Sequence, residues 1–140
     1  RSTNHYTITV KTSSGTGVTM PVGSTMLVIV DGTNVITGIT ERGFISTSNA
    51  YTAVNHDQVI VDTSSAAVTV TLPASPAVGN EVHFIDGKLN FGSNNLTIGR
   101  NSQPIQGVAS DLVVSTNGQN FTLVYANSTK GWVKKHFAGT

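Results

Sequence analysis

The stretch Val70-Thr71-Leu72-Pro73-Ala74-Ser75-Pro76-Ala77-Val78-Gly79-Asn80-Glu81-Val82-His83-Phe84-Ile85-Asp86-Gly87 decides how this chain is read. Val68, Val70 and Leu72 alternate with threonines, which is the period of a strand with one buried face. Pro73 and Pro76 have no N–H to give to a ladder, so they mark a corner. Gly79 relaxes the backbone where the chain turns into a second alternating run, and Asp86-Gly87 ends that run as a tight-turn dipeptide. The unit is strand, corner, strand, turn. It carries no catalytic grouping and reads as scaffold.

The same unit occurs earlier in the chain. Val18-Thr19-Met20-Pro21 has the form of Val70-Thr71-Leu72-Pro73, and Val22-Gly23 that of Val78-Gly79. The apolar run Met26-Leu27-Val28-Ile29-Val30 then ends in Asp31-Gly32, about fifty-five positions before Asp86-Gly87. A looser echo follows near the C-terminus, where Phe121-Thr122-Leu123-Val124-Tyr125-Ala126 turns through Asn127-Ser128-Thr129-Lys130-Gly131 into Trp132-Val133-Lys134-Lys135. Tyr6-Thr7-Ile8-Thr9-Val10-Lys11 alternates as a first strand. Gln58 to Asp62 and Ala67 to Leu72 read as a meander, and Leu96-Thr97-Ile98-Gly99 and Asp111 to Thr116 as further strands. No window offers a capped helical stripe. Turns recur about every eight to twelve residues. The expected fold is all-β: an antiparallel β-sandwich or β-prism-like domain built of hairpins. The polar break Ser46-Thr47-Ser48-Asn49 divides it into an N-terminal β segment, 1–46, and a C-terminal β domain, 47–140.

Composition narrows the function classes. Charged residues make up 11% of the 140 positions, against roughly 25% in an ordinary soluble domain. Such sparse charge suits a chain that buries much of its outside against copies of itself. The net charge of +1 gives no electrostatic case for nucleic acid or an anionic membrane. Cysteine is absent, which excludes disulfides, thiolate metal sites and a cysteine nucleophile. No apolar run approaches the ~20 residues of a membrane span. The chain opens on Arg1 rather than Met, and a segment of a longer polypeptide is the expectation.

The residues that could carry chemistry are scattered. Asp31 and Asp86 occupy turn positions, where aspartate serves local hydrogen bonds; Glu81 and Asp57 stay open as a carboxylate pair. His5, His56, His83 and His136 show no metal-binding spacing, and His83, between Val82 and Phe84, points to the face opposite theirs. No cofactor is implied. No serine lies in a Gly-x-Ser-x-Gly elbow, and no glycine-rich loop precedes a helix. Trp132, Tyr6, Tyr51 and Tyr125 are the aromatic candidates for stacking on a sugar. Trp132 reads either as packing over a small β core or as such a platform. Lys134 and Lys135 read as a solvated face.

Several motifs occur together in order: the run from Ala67 through Leu72-Pro73-Ala74-Ser75-Pro76 to Asp86, Asn94-Asn95-Leu96-Thr97-Ile98, Gly99-Arg100-Asn101, Ile105-Gln106-Gly107, and Phe121-Thr122-Leu123-Val124-Tyr125 with Gly131-Trp132-Val133. This pattern resembles a module common in tail fibres and other tail or baseplate-associated proteins of tailed bacteriophages. The N-terminal part, from Ile8-Thr9-Val10-Lys11-Thr12-Ser13 to Asp31-Gly32-Thr33-Asn34-Val35, is similar to another segment of such fibres. Together they cover most of the chain from Tyr6 to Lys134. The resemblance implies an extracellular virion component of the phage tail and an elongated homotrimer. Its implied partners are other tail or baseplate proteins and a host cell-surface glycan or outer-membrane receptor. It transfers no catalytic residue, so an enzyme is not expected. The His-x-His repeats that hold axial metal in some fibres are absent. On this reading the loops 90–95, 100–107 and 127–131 face the host, with Asn94, Asn95, Arg100, Asn101, Gln103, Lys130 and Trp132 as candidate contacts. The alternative is a carbohydrate-active tailspike (a depolymerase) or its sugar-binding module, which needs two carboxylates within about 10 Å along a cleft. A third reading, a non-viral β-sandwich adhesin, predicts a monomer.

Overall fold

In the computed structural model the described backbone covers residues 8–20, 24–30 and 33–135. Tyr6, His5, His136, the corner at 21–23 and the Asp31-Gly32 turn lie outside it. The chain divides into two compact units, residues 1–43 and 44–140. The described residues form strands and turns with no helix, so the fold is all-β.

In the first unit, β1 (Ile8–Val10) pairs antiparallel with β2 (Val18–Met20), and β3 (Ser24–Val30) with β4 (Val35–Arg42). The sequence break at 46/47 falls three residues past the structural one. β5 (Phe44–Thr47), all but Thr47 of which the sequence assigns to the N-terminal segment, forms the edge of the second unit's larger sheet.

The second unit winds. Its strands alternate between two sheets: β5, β7 (Gln58–Val61) and β9 (Glu81–Asp86) enter a five-stranded sheet, while β6 (Tyr51–Thr52), β8 (Val68–Thr71) and β10 (Leu96–Gly99) enter a four-stranded one. Like strands stack in parallel: Ile45 beside Val59 beside Phe84 on one side, Tyr51 beside Val70 beside Ile98 on the other. The result is three successive coils of a β-solenoid. The ladder continues around the corners, with Asp62 N–H donating to Thr47 O and Gly87 N–H to Val61 O at 2.8 and 2.9 Å. The chain then reverses. β11 (Leu112–Val114) lies antiparallel on β10, β12 (Asn120–Asn127) on β9, and β13 (Gly131–Lys135) on β12.

The fold therefore departs from a purely antiparallel array of hairpins. The expected meander is two strands of different sheets, because Gln58–Val61 and Val68–Thr71 each pair with the equivalent strand of the next coil. Alternation is the same in a parallel and an antiparallel strand, so it cannot name the partner. Two hairpins are present where the sequence echo placed them, β3–β4 and β12–β13, and both carry a register shift of the bulge type. The repeated strand-corner-strand unit also behaves alike in both copies, since β2 and β3, like β8 and β9, lie in different sheets.

One apolar core fills the space between the two sheets. Val59, Val61, Val82, Phe84, Phe121, Leu123 and Tyr125 enter it from the larger sheet, and Val68, Val70, Leu96, Ile98 and Val114 from the smaller. The burial of β9 alternates residue by residue, so the period-2 reading of Glu81–Asp86 holds, with His83 on the outer face. Phe84 and Phe121 stack with ring centroids 5.4 Å apart, and Tyr125 meets Trp132 edge-on at 5.6 Å.

Candidate functional site

Because strands alternate between sheets, the connections of the second unit emerge at one of the two ends of the strands, along opposite flanks of the coil stack. Loops 62–67, 87–95 and 115–119 share one end; loops 72–80, 100–111 and 128–130 share the other. The candidate contacts are thus divided. Asn94 and Asn95 lie at the first end, and Arg100, Asn101, Gln103 and Lys130 at the second.

Most of them hold the fold. Asn94 Nδ2 donates to Thr63 O at 2.9 Å, beside Asn90 Nδ2 at 3.1 Å, clamping loop 87–95 onto the coil below. Asn95 O accepts Val68 N–H at 3.2 Å. Asn101, at a left-handed φ of 46°, donates its Nδ2 to Leu72 O at 2.8 Å, just before the proline corner. Gln103 Oε1 accepts the Tyr125 hydroxyl at 2.9 Å. Arg100 N–H donates to Asp111 Oδ1 at 2.9 Å. Lys130 is exposed, and its carbonyl takes Gly107 N–H at 2.9 Å, binding loops 100–111 and 128–130 to each other. Trp132 is wholly buried at 0% exposure, so its indole is a core side chain and no stacking platform.

The acids are engaged too. Asp86 Oδ1 accepts N–H groups from Lys88 and Asn90, and its Oδ2 from Phe91 and Gly118. Burial, the largest single influence, opposes ionisation of this carboxyl. The four N–H donors from Asn90, Gly118, Phe91 and Lys88 together outweigh it and hold the group below its ordinary range. Asp57 Oδ2 accepts the Tyr51 hydroxyl and Val54 N–H, both at 2.8 Å, inside the fold. Glu81 stands on the outer face, 3.2 Å from Lys135 Nζ and 3.9 Å from His56 Nδ1. No group of three or more His, Asp or Glu side chains is gathered as a metal site among the described residues.

A cleft of about 340 Å³ opens beside β12 and β13, lined by His83, Gln119, Asn120, Phe121, Thr122, Lys134 and Lys135. Register builds it. Thr122 is the cross-strand partner of both His83 and Lys135, and its hydroxyl lies 2.8 Å from His83 Nδ1. Lys134, partner of Leu123, falls on the alternate face of the edge strand, and its ammonium sits 4.8 Å from the Phe121 ring centroid. Desolvation lowers the His83 pKa, against opposing contributions from the Asn120 side chain and Glu81, so the imidazole is neutral at pH 7. Sequence reading placed His83 outward and the two lysines on a solvated face. It missed the cleft because the register that joins three strands there is not local information.

No protein-family model matches the chain, and a search of curated proteins finds no match. Among the described residues, no helix is long and apolar enough to cross a membrane.

Proposed function

We propose that this chain is a structural and receptor-binding segment of a phage tail fibre that mediates attachment to the bacterial host surface. The observation that carries the reading is the coil stack, read with the sequence pattern that resembles such fibres. Coils in parallel register stack along one axis and present their loops along two opposite flanks. Side-chain-to-backbone hydrogen bonds within those loops keep them rigid. Rigid loops on a stacked scaffold suit recognition by several identical copies, where weak contacts add through avidity. On this reading the unit works as an elongated homotrimer in the virion. Its partners are other tail or baseplate proteins and a host glycan or outer-membrane receptor. The depolymerase reading draws less support, since of the open pair Asp57 is buried and committed to structural hydrogen bonds while Glu81 stands on the outer face beside Lys135.

The test is molar mass in solution by light scattering, followed by competition of the purified protein with phage adsorption. A mass three times that of the 14.6 kDa chain is expected. A monomer with no effect on adsorption would overturn the proposal.

A further inference from the structure

We propose that Asn117-Gly118 is a latent deamidation site that the fold keeps sealed through Gly92 and Asp86. Asn-Gly occurs once in the chain, and both residues are exposed in the turn between β11 and β12. An exposed asparagine before glycine is set up to react with its own backbone, because glycine has no Cβ to hinder the attacking nitrogen. The Gly118 nitrogen gives its proton to solvent base and attacks Asn117 Cγ. The Cγ–Nδ2 bond breaks, ammonia leaves with a proton returned from solvent, and a five-membered succinimide remains. Water then opens the ring at either carbonyl, giving aspartate or isoaspartate. Water is the only co-reactant.

In the folded chain both reacting groups are held. Gly118 N–H donates to Asp86 Oδ2 at 3.0 Å, so the proton that must leave is bound to a carboxylate. The nitrogen anion left behind would face that negative charge at close range. Asp86 is itself fixed, by N–H groups of Lys88, Asn90 and Phe91 and by its own N–H, which donates to Gln119 O at 3.0 Å. The second hold comes from loop 87–95. Gly92 N–H donates to Asn117 Oδ1 at 2.6 Å, keeping the side-chain amide on that loop, whereas ring closure needs Cγ to turn onto the Gly118 nitrogen. Both residues are exposed, so these bonds rather than burial form the seal. The isoaspartate product adds a methylene to the backbone and moves Gly118 N–H away from Asp86, so the reaction unlatches the turn for good. The seal rests on this geometry alone and does not depend on the attachment reading.

The experiment is storage of the full folded chain at mildly alkaline pH, with intact Asn117 and isoaspartate followed by peptide mapping and mass spectrometry. The same chain unfolded in guanidinium chloride is the reference. Folded wild type should lose Asn117 about a hundredfold more slowly than the unfolded chain, because the turn must first open locally. Gly92→Ala tests the seal directly. Gly92 lies outside the left-handed region, and a Cβ there would stand 2.9 Å from Asn117 Oδ1, the end of a side chain that can swing away. The variant should speed the loss about three- to tenfold, the worth of one hydrogen bond. Asn127-Ser128, at the turn between β12 and β13, is the internal control, because more frequent unfolding of the whole chain would speed both sites. Loss of Asn117 from folded wild type nearly as fast as from the unfolded chain would sink the proposal, and that comparison stands even if Gly92→Ala folds poorly. A wild-type rate in folded Gly92→Ala, or equal acceleration at Asn127, would sink it too.

Discussion

Asp86 Oδ2 accepts the Gly118 N–H at 3.0 Å across 32 positions of sequence, tying the turn before β12 to the loop after β9. The same carboxylate takes three further N–H groups from Lys88, Asn90 and Phe91. One side chain thus organises two of the connections on that flank of the solenoid. Asp86→Asn keeps the shape but loses the charge and replaces one acceptor oxygen with a donor. We expect it to cost about 2–4 kcal/mol. Urea unfolding checks this, with a lower midpoint and an unchanged slope.

The pH dependence of that difference has a defined sign. Asp86 in the folded chain lies below the ordinary value of 3.8, because its N–H donors outweigh its burial. A carboxyl with a depressed folded pKa adds stability that is fully present above the unfolded value. That stability is lost as pH falls through the folded one. The gap between wild type and Asp86→Asn should therefore be constant from neutral pH down to about 5 and narrow below about 4. Unfolding midpoints measured across that range give the answer; a gap that widens on acidification would contradict the assignment.

Gly131 and Gly79 both hold left-handed backbone, at φ values of 65° and 89°. Their surroundings differ. A Cβ on Gly131 would collide with the Pro104 carbonyl, which also accepts the Trp132 N–H at 2.9 Å, whereas one on Gly79 meets nothing within 4 Å. Gly79→Ala should cost only the conformational penalty, about 1–2 kcal/mol. Gly131→Ala should cost about 3 kcal/mol or more, because loop 100–111 must move off the hairpin. Thermal melts of the two variants should fall in that order.

Trp132 is the single tryptophan of the chain and is fully buried. Its emission should be blue-shifted, resistant to iodide quenching and unchanged by added sugars. Truncation to alanine should cost about 3–5 kcal/mol. Phenylalanine should cost less, because the buried Nε1–H has no hydrogen-bond partner to lose. A sugar-dependent change in Trp132 fluorescence would mean that the indole reaches the surface.

What the amino-acid order determined by itself was local. Alternation in Val68–Thr71, Glu81–Asp86 and Asn120–Asn127 assigns strands and separates core residues from outer ones, because side chains in an extended chain point to opposite faces in turn. The prolines after Leu72 and the glycine at 79 locate a corner for equally local reasons. Pairing was decided only by the tertiary structure. Val59 lies beside Phe84 because a full coil of chain returns to the same sheet, and Phe84 lies beside Phe121 because the chain then reverses and lays β12 antiparallel on β9. That return depends on non-local burial of both sheets against one core, which no single window encodes. The same holds for function. Asn94, Asn101 and Gln103 look like display residues in the sequence, yet their amides hold loops to neighbouring coils. His83, Thr122 and Lys135 look unrelated, and cross-strand register places them side by side.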